Sequence, residues 1–160
     1  MRRWMTVAAP ALALFVLDQV SKHIVAGAVG YGKAVVVTAF FNLVHVRNYG
    51  AVFGILNDPA LGVQVALFGV LTAAALLAVF YLVRSAAEND TMFFFALGLI
   101  TGGALGNLAD RLRLGAVTDF LDFHFGALHW PAFNAADTGI CIGAGLAALS
   151  MLRGPRKDNG

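Results

Sequence analysis

Charge is scarce in this chain. Asp, Glu, Lys and Arg make up 12% of its 160 residues and apolar residues 59%, against averages for soluble domains of roughly 25% and 45–50%. So little charge cannot solvate the surface of an ordinary water-soluble domain. The net charge is only +2, and no basic run is interleaved with aromatics, so nucleic acid is not an expected partner. One cysteine, Cys141, excludes an internal disulfide. It lies in an apolar run with no histidine, and reads as a small buried helix residue rather than a nucleophile. A His-Glu-x-x-His motif is absent too, and no metal or other cofactor is expected.

What the chain has instead is long apolar runs. A hydrophobic helix needs about 20 residues to cross a bilayer. Four stretches meet that need, at roughly 4–25, 63–83, 92–109 and 132–152. The expected fold is therefore a membrane all-α domain of four transmembrane helices, a single integral-membrane unit over 1–160. Ala11-Leu12-Ala13 imitates a signal-peptide cleavage site, but the apolar run passes through it unbroken. The glycines of the third run (Gly98, Gly102, Gly103 and Gly106) suit close helix packing.

Between the first and second runs, Ala34 to Val37 and Phe40 to Val46 are rich in β-branched and aromatic residues and read as short strands. A small surface β-cradle is expected in this first extracytoplasmic segment. Positive residues set the orientation. Arg2, Arg3, Arg84, Arg153, Arg156 and Lys157 sit in short tails and a turn on one side. Lys22, Lys33, Arg47, Arg111 and Arg113 lie on the other, several of them inside polar clusters. Both termini are expected in the cytoplasm, with the polar clusters on the outer face.

Four of the nine acidic residues fall between Asn107 and Asp137: Asp110, Asp119, Asp122 and Asp137. Carboxylates near lipid are costly unless paired, hydrated or used. Asp18 and Lys22 are four apart on a helix and can pair. Asn107, Asp110 and Arg111 share a face at the end of the third span, where the arginine can clamp a carboxylate. Asp119 and Asp137 require the chain to fold back between them. Two carboxyls in hydrogen-bonding reach cannot easily both ionise and come to share a proton, which suits them to activate water against a peptide bond. Spacing alone leaves Asp122 as a competing partner. His124 and His129, five apart, read as interfacial loop residues.

The segments DQVSK (18–22), NYGAVF (48–53), GNLADR (106–111), GAVTDFLDF (115–123) and FNAAD (133–137) occur in order. With them the chain resembles the lipoprotein signal peptidase (signal peptidase II) family of membrane aspartic proteases. The resemblance implies cleavage of prolipoprotein signal peptides just before a diacylglyceryl-modified cysteine, without a metal. It implies Asp119 and Asp137 as the catalytic pair, which breaks the tie with Asp122. Asp18, Lys22, Asn48, Gly50, Phe53, Asn107, Asp110, Arg111 and Asn134 are then the supporting or substrate-binding residues, with Phe53 packed over the substrate. Expected partners are diacylglyceryl-prolipoproteins and membrane lipid, with the protein a monomer in the bacterial inner membrane. The rival readings are a proton-coupled transporter, which would want an acid at mid-bilayer, and a non-catalytic membrane assembly factor. The middles of the four runs hold no Asp or Glu.

Overall fold

The structure, a computed structural model, describes residues 1–50, 63–87 and 89–153. The expected position of Phe53 lies outside them. Helices α1 (Arg2–Ala28), α2 (Val63–Ser85), α3 (Thr91–Leu114) and α4 (Ala135–Arg153) are all long and apolar enough to cross a membrane. Their outward surfaces carry large bare side chains such as Leu12, Val70, Leu77, Phe80 and Leu152, which in water would form an intolerable apolar patch. Cys141 also lies on an exposed face of α4. The expectation that protein buries it is wrong, because an apolar residue in a span can face lipid instead.

Helix α3 is the centre, packed along α1 and α4. Glycine makes that possible. A Cβ on Gly98 would come within 2.5 Å of the Val7 carbonyl oxygen and of the Pro10 ring. On Gly102 it would strike the main chain of Ala11, and on Gly106 it would sit 2.5 Å from the Asp18 carboxylate. These three recur every fourth residue and form one face toward α1. Gly103 faces α4 instead, where a Cβ would meet the Ala136 carbonyl oxygen at 2.5 Å. Gly102→Ala is therefore expected to destabilise by about 1–3 kcal/mol, the cost of overpacking against backbone. Gly69→Ala on α2, where nothing among the described residues lies within 4 Å, should be neutral. Thermal unfolding in detergent micelles separates the two.

Helix α3 outruns its apolar stretch and ends at Leu114, not near residue 109. Gly115 stops it, with φ at 71° and its N–H donating to the Arg111 carbonyl, the left-handed cap that glycine adopts most readily. At the other end the Asp90 side chain accepts from the Phe93 N–H at 2.9 Å. Asp90 also accepts from Ser150 Oγ at 2.5 Å, tying the start of α3 to the end of α4.

Strands β1 (Ala34–Thr38), β2 (Phe41–Asn48), β3 (Val117–Phe125) and β4 (Leu128–His129) form one antiparallel sheet in that order. The first two match the expected strands. The other two come from the second polar segment, so the cradle is built by both connections rather than by the first alone. The signal for β3 is present in Val-Thr-Asp-Phe-Leu-Asp-Phe-His-Phe, rich in β-formers and followed by Gly126 at φ 58°. His124 and His129 are cross-strand partners with stacked rings 4.9 Å apart. They are hairpin residues, not loop residues.

Two apolar clusters cap the bundle. Val7, Val79, Val83, Phe93, Phe94 and Leu97 close the end away from the sheet. Val25, Val29 and Phe120 fasten α1 to β3.

Candidate active site

Beside that second cluster lies a buried polar network. Asp18, Lys22, Asn107, Asp110, Thr118, Asp119 and Asn134 are all buried. Unpaired, each would cost several kcal/mol in such surroundings, so their partners matter.

Lys22 is the hub. Its ammonium lies 2.8 Å from Asp18, 3.1 Å from Asp110 and 3.0 Å from Asn107 Oδ1. Each neighbour fixes a different element. Asp18 Oδ1 accepts from the Ala136 N–H at 3.0 Å, at the start of α4. Asp110 Oδ2 accepts from the Thr118 N–H at 3.0 Å, at the start of β3. Asn107 donates to Asp137 Oδ1 at 2.8 Å. Asp18 and Lys22 are thus a buried structural pair, as their spacing suggested, and the lysine does not reach for headgroups.

Asn134 and Asp137 begin α4 as a reciprocal capping box. The Asp137 N–H donates to Asn134 Oδ1 at 3.0 Å, and the Asn134 N–H donates back to Asp137 Oδ2 at 3.2 Å. The Asn134 side-chain amide also donates to Asp119 Oδ1 at 2.7 Å. One asparagine therefore grips both aspartates. Asn48 holds the second oxygen of Asp119 at 3.1 Å, and its own Oδ1 accepts from the Gly50 N–H at 3.1 Å.

Burial pushes Asp119 up from an ordinary 3.8 to about 7, helped by the charge of Asp137 and opposed by the hydrogen bonds from Asn134 and Asn48. Between those two values the folded protein holds a proton that the unfolded chain releases. Stability is therefore greatest at the acid end of that window and falls as pH rises toward 7. Asp119→Asn should flatten this slope, measured as melting temperature against pH in micelles. An unchanged slope would assign the titration elsewhere.

Asp122 stands apart. It is three residues from Asp119 on β3, an odd spacing that points the two to opposite faces of the sheet. Its carboxylate accepts from Asn42 at 2.8 Å and from His129 at 2.8 Å. Burial raises it, but the His129 and Asn42 bonds outweigh burial and hold it below its usual range.

Arg111 does not clamp a carboxylate among the described residues. Its guanidinium stacks 4.1 Å over the Phe68 ring and reaches the Asn107 and Gly50 carbonyls at 3.4 and 3.5 Å. Its Nε is buried with no partner among the described residues. The arginine thus joins α2, α3 and the chain just past β2, while its charge still acts on Asp137, Asp119 and Asp110.

The motifs alone do not single out two members of the network. Gln19 donates to Asp18, Asp110 and the Gly106 carbonyl at 3.1–3.2 Å, and Thr118 offers the N–H that Asp110 holds. The only sequence signal for Gln19 is its place within the polar DQVSK run.

The chain matches the model of the signal peptidase (SPase) II family over residues 10–153. A lipoprotein signal peptidase of Nitratidesulfovibrio vulgaris is 46% identical over 151 residues, covering 94% of this chain and 91% of the relative. One from Ralstonia nicotianae is 49% identical, covering 88% and 80%. A solved bacterial membrane enzyme superposes with a TM-score of 0.81 at 31% identity, covering 94% and 91%. Likeness this extensive, in sequence and in a fold of four apolar helices with one small sheet, means that the chain is a peptidase and belongs to the signal peptidase II family.

Proposed function

We propose that this peptidase removes signal peptides from prolipoproteins, cutting just before a diacylglyceryl-modified cysteine, and that Asp119 and Asp137 activate the attacking water. The observation that carries this reading is the grip of Asn134 on both carboxyls, with Asp119 raised to about 7. At neutral pH such a pair shares a proton. The ionised carboxylate takes a proton from water as its oxygen attacks the scissile carbonyl carbon. The protonated one donates to the carbonyl oxygen, giving a tetrahedral diol. Collapse breaks the C–N bond, and a proton passes to the departing amine. Asn48, Asn107 and Asn134 hold the carboxyls in place, and Asp18, Lys22 and Asp110 hold the elements that carry them. Gly50 and Arg111 lie beside the pair, where an extended peptide would lie.

The substrate's lipid explains the site's location. Each methylene withdrawn from the bilayer costs about 0.8 kcal/mol, so a lipid-bearing cysteine stays at the interface and the peptidase must meet it there. In this reading both termini are cytoplasmic, the sheet lies on the outer face of the inner membrane, and a monomer suffices.

The test is processing of one precursor, with and without its diacylglyceryl group, by the purified protein. The lipidated form should be cut before its cysteine and the unlipidated form left intact. Equal cleavage of both would remove the lipid from the reading.

A further inference from the structure

Helices α1 and α3 share a second feature, away from both aspartates. An apolar groove of about 610 Å³ runs between them, lined by Trp4, Ala8, Leu12 and Phe15 of α1 and by Leu105 and Leu112 of α3, among others. The α1 residues follow at spacings of four, four and three, so they form one stripe. Continued by the same rule, that stripe reaches Gln19, His23 and Ala26. All three line a second cavity of about 430 Å³ toward the sheet, together with His45, Arg47 and Arg113. On α3, Leu112 of the groove adjoins Arg113 of the cavity. Groove and cavity therefore lie end to end on one seam.

The charges of the cavity do not cancel. Lys22 and Asp110 also line it, but they pair with each other, and Lys22 pairs with Asp18 as well. Arg47 lies over the Tyr31 ring at 5.5 Å, and Arg113 donates to the neutral Gln19 Oε1 at 3.0 Å. Among the described residues neither arginine has a carboxylate in ion-pair range, and both are exposed. The His45 Nδ1–H donates to the Val29 carbonyl at 2.9 Å, which fixes that ring at the cavity wall.

From this placement we infer that the α1–α3 seam binds an anionic phospholipid, with its phosphodiester between Arg47 and Arg113 and an acyl chain along the groove. The eleven helical steps from Trp4 to Phe15 rise about 16 Å, close to half of a hydrocarbon core about 30 Å thick, which is the scale of one acyl chain. Guanidinium groups favour phosphate oxygens through paired hydrogen bonds. A diacylglyceryl thioether is uncharged and offers these arginines nothing, so charge complementarity selects a phospholipid over the tails of the proposed substrate. The inference does not depend on the catalytic reading.

Native mass spectrometry of the purified full-length chain in micelles tests it, with dioleoyl phosphatidylglycerol, dioleoyl phosphatidylcholine or inorganic phosphate added. One phosphatidylglycerol should bind in preference to phosphatidylcholine. Arg47→Gln and Arg113→Gln should each weaken it about fivefold, the worth of one basic side chain at an anionic surface. Arg113→Lys should retain most of the affinity. Ala8→Trp, which fills the groove from an exposed position, should weaken both lipids alike. Equal binding of the two lipids, or unchanged affinity in both Gln variants, would overturn the inference. So would displacement of the bound lipid by inorganic phosphate alone, or by a neutral diacylglyceryl peptide at equal concentration.

Discussion

Asp119→Asn and Asp137→Asn should each lower cleavage of a diacylated precursor by a factor on the order of 10⁴ or more, the scale on which single members of a catalytic unit fail. The reason is chemical, not structural. An amide cannot take a proton from water, and it cannot pass one to a carbonyl oxygen. The double variant should be no slower than either single one, because in the proposed mechanism the two groups act as a unit. Both variants should stay folded. In Asp119→Asn the new amide oxygen can still accept from Asn134, and the loss of a buried, ionisable group offsets the poorer match to the Asn48 amide. Asp122→Asn serves as the control. Its partners Asn42 and His129 lie away from the pair, so its rate should stay within a few-fold of the parent. Cleavage near the parental rate in Asp119→Asn or Asp137→Asn would refute the mechanism. A dead Asp122→Asn beside an active Asp119→Asn would move the pair to the other face of β3.

Lys22→Met should have the largest effect on stability, a loss of about 3–5 kcal/mol, typical when one partner of a buried ion pair is removed. Lys22 is the cation that touches both Asp18 and Asp110, and all three are buried. Without it, two buried carboxylates face each other with no cation between them. Activity should fall as well, by about 100-fold, the cost of displacing catalytic groups by about an ångström. The route runs through Asp18 to the start of α4, through Asp110 to the start of β3, and through Asn107 to the Asp137 side chain. Lys22→Met combined with Asp18→Asn should recover part of the stability, since it removes one orphaned charge. Thermal unfolding in micelles reads the stability, and initial rates on a diacylated precursor read the activity. A Lys22→Met protein as stable as the parent would mean that the network does not depend on this cation.

Much of this was legible in the residues. Four apolar runs of spanning length can only be spans, because a helix is the one open structure that satisfies its own backbone in lipid. The pairing of Asp18 with Lys22 follows from helical spacing, and the glycines of α3 announce close packing. Other features were not legible. The end of α3 near Leu114 depends on a single glycine cap after a charged turn, which hydropathy does not register. Strand β3 is rich in β-formers, but its neighbour β2 lies some seventy to eighty positions earlier in the chain, and pairing at that distance leaves no local mark. The role first open to Arg111 as a carboxylate clamp gave way to a stack on Phe68, a contact between helices that no spacing rule foresees.

The residues by themselves determined the solvent and the number of spans, because those depend on composition and on periods of a few residues. Only the tertiary structure decided which carboxyls Asn134 holds. Alternation along β3 turns Asp119 and Asp122 to opposite faces, and the capping box at α4 sets Asn134 between Asp119 and Asp137. Both are facts of register and of how α4 meets β3, which exist only after distant segments have packed.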